Sequence, residues 1–172
     1  MNECLKKFNI MRKTRFGLLF ISLLIVCIDQ ITKYIARNNL FLYETKVVIP
    51  NFWNWTLAYN KGAAFSLFAH QAGSWPKLFF GVIAFIVSMW LINYLLMKVY
   101  TLINGIAFSF ILGGAIGNLI DRIVHDQVTD FIDWYYKAYH WPAFNVADSF
   151  ICLGVTVIII EGIFLKPKNK LL

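Results

Sequence analysis

The chain predicts an all-α polytopic membrane protein, with four transmembrane helices and a small β-hairpin or half-sheet on the outer face. Three observations carry this. Hydrophobic residues make up 59% and aromatics 17% of the 172 residues, with a mean hydropathy of +0.63, well above soluble proteins. Four apolar segments, at about 16–36, 78–97, 102–120 and 149–165, are each long enough to cross a bilayer or nearly so. The cations behind the net charge of +7 gather in the two tails rather than along one face, which argues against nucleic-acid binding. All of 1–172 then reads as one integral membrane domain.

The first segment stays apolar from Phe16 to Ile28 and continues through Asp29-Gln-Ile-Thr-Lys33 to Ala36. As a helix it holds about 21 residues and spans roughly 31 Å at about 1.5 Å per residue. No small-residue cleavage site follows it, so it reads as a retained anchor rather than a signal peptide. Asp29 and Lys33, four apart, share a helix face and are placed to pair near the outer boundary.

Residues 37–77 form an outer β region. Lys46-Val-Val-Ile49 and Phe52-Trp-Asn-Trp-Thr-Leu-Ala-Tyr59 read as strands, with turn signals at Pro50-Asn51 and Asn60-Lys61-Gly62. The second and third apolar segments are separated only by Lys98–Thr101, which makes them a helical hairpin turning in the cytoplasm. The third carries Gly105, Gly113, Gly114 and Gly117, small residues that let helices approach closely. The fourth runs from Ser149 to Leu165.

Lys6, Lys7, Arg12, Lys13 and Arg15 crowd the start, and Lys166, Lys168 and Lys170 the end. The positive-inside rule puts both tails in the cytoplasm, as four crossings require. Five of the six tryptophans fall in the outward regions, an interfacial belt concentrated on one side. Cys4, Cys27 and Cys152 have no metal-type spacing and imply no disulfide framework.

The polar residues with chemical potential lie around the outer loop 121–148. Five of the nine acids, Asp121, Asp126, Asp130, Asp133 and Asp148, fall between its ends. Asn118 precedes Asp121 by three, and Asn145 precedes Asp148 by three, so an N-x-x-D pattern marks both flanking helix ends. Asn145 and Asp148 fit a helix cap, and they equally fit an ionised carboxylate held at a helix N-terminus. Asp130, if close to it, is pushed toward its protonated form. Two carboxylates sharing one proton can do general acid and base work on a peptide carbonyl. Asn118, Asp121 and Arg122 read either as an inter-helix clamp or as substrate contacts. Asp126 and Asp133 are expected to face water. The spacing of His125 with Asp121 and Asp126 matches no metal template, and neither metal nor cofactor is expected. A transporter relay using the same carboxylates, and a catalytically silent assembly factor, stand as the other readings.

Five blocks in order, Asp29-Gln-Ile-Thr-Lys33, Asn60-Lys-Gly-Ala-Ala-Phe65, Gly113 to Arg122, Val128-Thr-Asp-Phe131 and Phe144-Asn-Val-Ala-Asp-Ser149, resemble the signature blocks of bacterial lipoprotein signal peptidases, or signal peptidase II. The resemblance covers nearly the whole chain apart from the tails. It implies an aspartyl endopeptidase of the bacterial cytoplasmic membrane, active at the outer leaflet, that cuts prolipoproteins just before the diacylglyceryl-modified cysteine. By motif match the catalytic pair is Asp130 and Asp148. Asn60, Gly62, Asn118, Asp121, Arg122 and Asn145 bind substrate or support the pair, and Asp29 with Lys33 forms a structural polar pair. The implied partners are lipidated prolipoproteins, membrane lipid and inhibitors of the globomycin type, with the enzyme acting as a monomer. Thr129 stands where the family often has an apolar residue, and it adds a hydroxyl expected beside Asp130.

Overall fold

A computed structural model of the chain describes residues 2–61, 75–98 and 100–165. The order is α1 (Asn2–Asn39), β1 (Thr45–Ile49), β2 (Trp53–Asn60), α2 (Trp75–Met97), α3 (Leu102–His125), β3 (Val128–Tyr136), β4 (Tyr139–His140) and α4 (Val146–Ile160), which continues as a π-helical turn, Glu161–Leu165. Four helices are long and apolar enough to span a membrane, over Arg15–Asn39, Leu78–Met97, Leu102–His125 and Val146–Phe164.

The helices pack because their apolar faces meet at α3, which touches each of the other three. Half of its spanning window is buried, against 11% for that of α4. Leu18, Leu91, Leu95 and Leu112 form a core between α1, α2 and α3. Leu23, Phe85, Trp90, Leu153 and Ile159 stay exposed, an apolar girdle of the kind that lipid covers. Thr101 caps α3 by accepting the Asn104 backbone N–H at 3.1 Å, and Asp126, at φ 63°, turns the chain out of it.

Two expectations change here. Helix α3 runs to His125 rather than stopping at Ile120, so Asp121 and Arg122 lie inside it; their charge suggested a boundary, but partners on α1 satisfy Asp121. The outer segment 121–148 is not simply a loop. It supplies β3 and β4, which with β1 and β2 make an antiparallel sheet in the order β1-β2-β3-β4. The alternation of β3 mixes polar and apolar residues on both faces, which hid it from the sequence. At the β1–β2 turn Asn51 takes φ 60° and Phe52 N–H bonds the Ile49 carbonyl at 3.1 Å.

The sheet is fixed to the helices by a second core of Ala36, Leu40, Leu57 and Phe131. Beyond β4, Phe144 bonds back to Ile132 in both directions, at 2.9 and 3.0 Å. That return brings the start of α4 beside β3.

Candidate active site

The register of β2 and β3 places Ala58 opposite Asp130 and Asn60 opposite Val128. Asn60 is therefore a diagonal neighbour of Asp130 on one face of the sheet, and its side chain hydrogen-bonds that carboxylate. Asp130 is buried, with 3% of its surface exposed.

From the other side comes the first turn of α4. Asn145 Nδ2 donates to Asp130 Oδ1 at 2.7 Å, while Asn145 Oδ1 accepts the Asp148 backbone N–H at 3.0 Å. One amide thus ties β3 to α4. Asp148 Oδ2 accepts the Asn145 backbone N–H at 3.3 Å, completing a capping box. The cap is formed, and it leaves Asp148 Oδ1 for Asn118 on α3, whose Nδ2 donates to it at 2.7 Å. Asp148 is only partly buried. Burial, and then the charge of Asp148, push the Asp130 pKa up to about 7, against the lowering pull of Asn145, Asn60 and Lys33.

Behind these groups lies a second polar layer. Lys33, fully buried, contacts Asp29 Oδ2 at 2.7 Å, Asn118 Oδ1 at 2.9 Å and Asp121 Oδ2 at 3.6 Å. The pairing of Asp29 with Lys33 is as the spacing suggests. Asp29 Oδ1 also accepts the Ala147 N–H at 2.9 Å, joining α1 to the first turn of α4. Asp121 turns toward α1 and the backbone of β3. It accepts the Thr129 N–H at 2.8 Å and faces Arg37 at 3.5 Å. Arg122 donates to the Asn118 carbonyl at 3.3 Å and lies over the Phe80 ring at 5.8 Å, with its charge in reach of Asp148 and Asp130. Gly62 lies outside the described residues.

Thr129 departs from expectation. Strand alternation turns its hydroxyl away from Asp130, and it accepts from Arg37 at 2.9 Å. Asp133 is not exposed to water but buried, bonded by Asn54 at 2.8 Å and by His140 at 2.9 Å. Asp126 is exposed, as expected. The sequence reading missed Gln30, which donates to the Gly117 carbonyl at 3.0 Å, and Arg37. Arg37 was findable: it extends the Asp29, Lys33 spacing by one more helical turn.

A groove of about 260 Å³ between α2 and α3, lined by Leu78, Val82, Phe85, Leu119 and Ile123, ends at Arg122 on the flank of this cluster.

Residues 21–164 match the family model described as signal peptidase (SPase) II. A lipoprotein signal peptidase of Acinetobacter baumannii is 46% identical over 154 residues, 87% of this chain and 86% of that one. Another, from Neisseria gonorrhoeae, is 40% identical over 163 residues, 94% and 97% of the two chains. A solved bacterial membrane enzyme superposes with a TM-score of 0.76 at 32% identity, covering 91% of this chain and 94% of its own. The four spanning helices, the sheet that caps them and this match over most of the chain lead to one conclusion: the protein belongs to the signal peptidase II family of membrane peptidases.

Proposed function

We propose that the protein removes the signal peptide from diacylglyceryl-modified prolipoproteins, cutting just before the lipidated cysteine, with Asp130 and Asp148 as the catalytic pair. The observation that carries this is the single amide of Asn145 linking a deeply buried carboxyl on β3 to a partly open one at the α4 N-terminus.

The two aspartates have unlike surroundings. Asp148 accepts N–H groups on both oxygens in the first turn of a helix, where donors and the helix dipole suit an anion. Asp130, pushed up to about 7, keeps a proton near neutrality. Asp148 then takes a proton from a water held between them while Asp130 gives its own to the scissile carbonyl oxygen, forming a gem-diol. Collapse of the diol breaks the C–N bond as Asp148 gives its proton to the leaving amine and Asp130 takes one back from a diol hydroxyl, which restores the starting pair. Arg122 and Asn60 flank the pair and are placed to hold the substrate backbone. The apolar groove beside Arg122 suits a lipid-embedded segment of substrate.

Both termini are assigned to the cytoplasm and the site to the outer leaflet of the bacterial inner membrane, from the basic tails and the outer tryptophans. A single chain holds both aspartates, so a monomer suffices, and a cyclic peptide of the globomycin type would compete for the same pair.

Asp130→Asn and Asp148→Asn, made singly, test the pair. Each is expected to insert normally and to slow conversion of a diacylglyceryl prolipoprotein by roughly 10²–10⁴-fold. Wild-type processing by either folded variant rejects the assignment.

A further inference from the structure

Lys33 lies one helix away from the two aspartates, yet its position determines what one of them can accept. An ammonium has donors and no acceptor. The atom of Asn118 that faces Lys33 Nζ at 2.9 Å must therefore be its oxygen, which also takes Asn145 Nδ2 at 3.2 Å. The amide orientation that X-ray density alone often leaves open is fixed here by chemistry. With the oxygen fixed, Asn118 Nδ2 points to Asp148 Oδ1 at 2.7 Å, and it can only donate.

We propose that Lys33 is a positioning residue of the reaction: its buried ammonium holds the Asn118 amide with Nδ2 toward Asp148 Oδ1, so that Asp148 enters the reaction as the proton acceptor of the pair and the shared proton starts on Asp130. The inference rests on the dyad reading above. It goes beyond a structural ion pair, since Lys33 also donates to the Asn118 oxygen at 2.9 Å and so adds to the longer contact, 3.2 Å, that Asn145 makes with the same atom. Asp29 neutralises the lysine at 2.7 Å, and Gln30 and Arg37 supply further donors to the acids behind it.

The charged groups around Asp130 are Asp148 on α4, Lys33 on α1 and Arg122 on α3; the sheet contributes Asn60. Asp29, Asp121 and Arg37 stand one step behind, in the layer around Lys33. Removing the Lys33 charge takes away a lowering influence on Asp130, so Asp130 holds its proton to higher pH.

The test compares Asp29→Asn with the double variant Asp29→Asn/Lys33→Met. Removing both partners avoids stranding a buried charge, which is far more damaging than losing the pair. The double variant is expected to insert and to bind substrate with an unchanged KM. Its kcat falls on the order of 10- to 100-fold relative to Asp29→Asn, and the alkaline limb of its pH–rate profile moves up. A role confined to stability lowers the unfolding temperature and leaves the pH profile in place. A folded double variant whose kcat and alkaline limb match those of Asp29→Asn overturns the proposal.

Should the double variant not fold, the wild-type protein decides. The side-chain amide protons of Asn118, followed by NMR, are expected to exchange with solvent and with each other far more slowly than those of the exposed Asn39. Exchange as fast as Asn39 overturns the proposal. Loss of activity in Asp130→Asn and Asp148→Asn alongside a negative result here rejects the role of Lys33 alone; activity retained in those two variants rejects the dyad beneath it.

Discussion

Thr129 and Asp130 are adjacent in the chain and serve opposite faces of β3. Thr129 accepts from Arg37 through its hydroxyl and gives its backbone N–H to Asp121, while Asp130 faces Asn145 and Asn60. The strand is thus gripped from behind by α1 and α3 while its front presents a carboxyl. Burial raises that carboxyl, with Asp148 adding to it, to about 7. Because the protonated form is the one that donates to the carbonyl, kcat/KM is expected to fall as pH rises through about 7, approaching tenfold per pH unit beyond it. A pH–rate profile checks this; a rate that is flat from pH 6 to pH 9 would falsify the role of Asp130 as acid. At this scale the two aspartates proposed as catalytic were singled out by the resemblance of the short windows around them, Thr-Asp-Phe and Asn-Val-Ala-Asp, to family motifs. Asp133 was not, because its burial comes from Asn54 and His140, one on another strand and one beyond a turn. No local pattern announces a partner that only sheet pairing brings near.

Helix α3 is the element on which the site depends, because it carries Asn118 and Asp121 and sets the distance to α1 and α4. That distance is set by missing side chains. A Cβ on Gly117 would come within 2.5 Å of Asp29 Oδ2, and one on Gly114 would strike the Ala147 carbonyl oxygen and come within 2.6 Å of Ile151. The Ala147 backbone gives way only by straining its N–H bond to Asp29. Gly114→Val is therefore expected to push α4 outward and to destabilise the fold by about 1–3 kcal/mol. It should also separate Asp148 from Asn118 and lower activity well beyond the loss of stability. Thermal unfolding in detergent and a processing assay at permissive temperature check both; a variant with wild-type stability and rate would show that α3 and α4 are not in this tight register. The helices themselves were legible from their apolar runs. Their outer ends were not, since Asp121 and Arg122 look like a water boundary in sequence, and the partners that make the longer helix tolerable, Lys33, Arg37 and Gln30 on α1 and the Thr129 N–H on β3, are distant in the chain or on another element.

The molecule is two-ended: the carboxylates and the sheet occupy one end of the helix bundle, and Arg15, Lys98 and the start of α3 the other. Phe52, Trp134, Tyr139 and Trp141 are exposed on and beside the sheet, as expected of aromatic groups resting among lipid headgroups. Such a polar cluster costs least at a membrane boundary, where water reaches it and hydrocarbon ends. A lipidated peptide meets both phases at that depth, and the orientation proposed from the basic tails turns the end that holds the site toward the outer leaflet. The assigned orientation makes this testable. In a background with Cys4, Cys27 and Cys152 replaced by serine, Tyr139→Cys on β4 is expected to react with a membrane-impermeant thiol reagent added to intact spheroplasts. Lys98→Cys, at the α2–α3 turn, is expected to react only after permeabilisation. Both positions lie outside the spanning helices, so neither substitution disturbs the core. The reverse labelling pattern would place the aspartates on the cytoplasmic side and would rule out a substrate that is lipidated and cut at the outer leaflet.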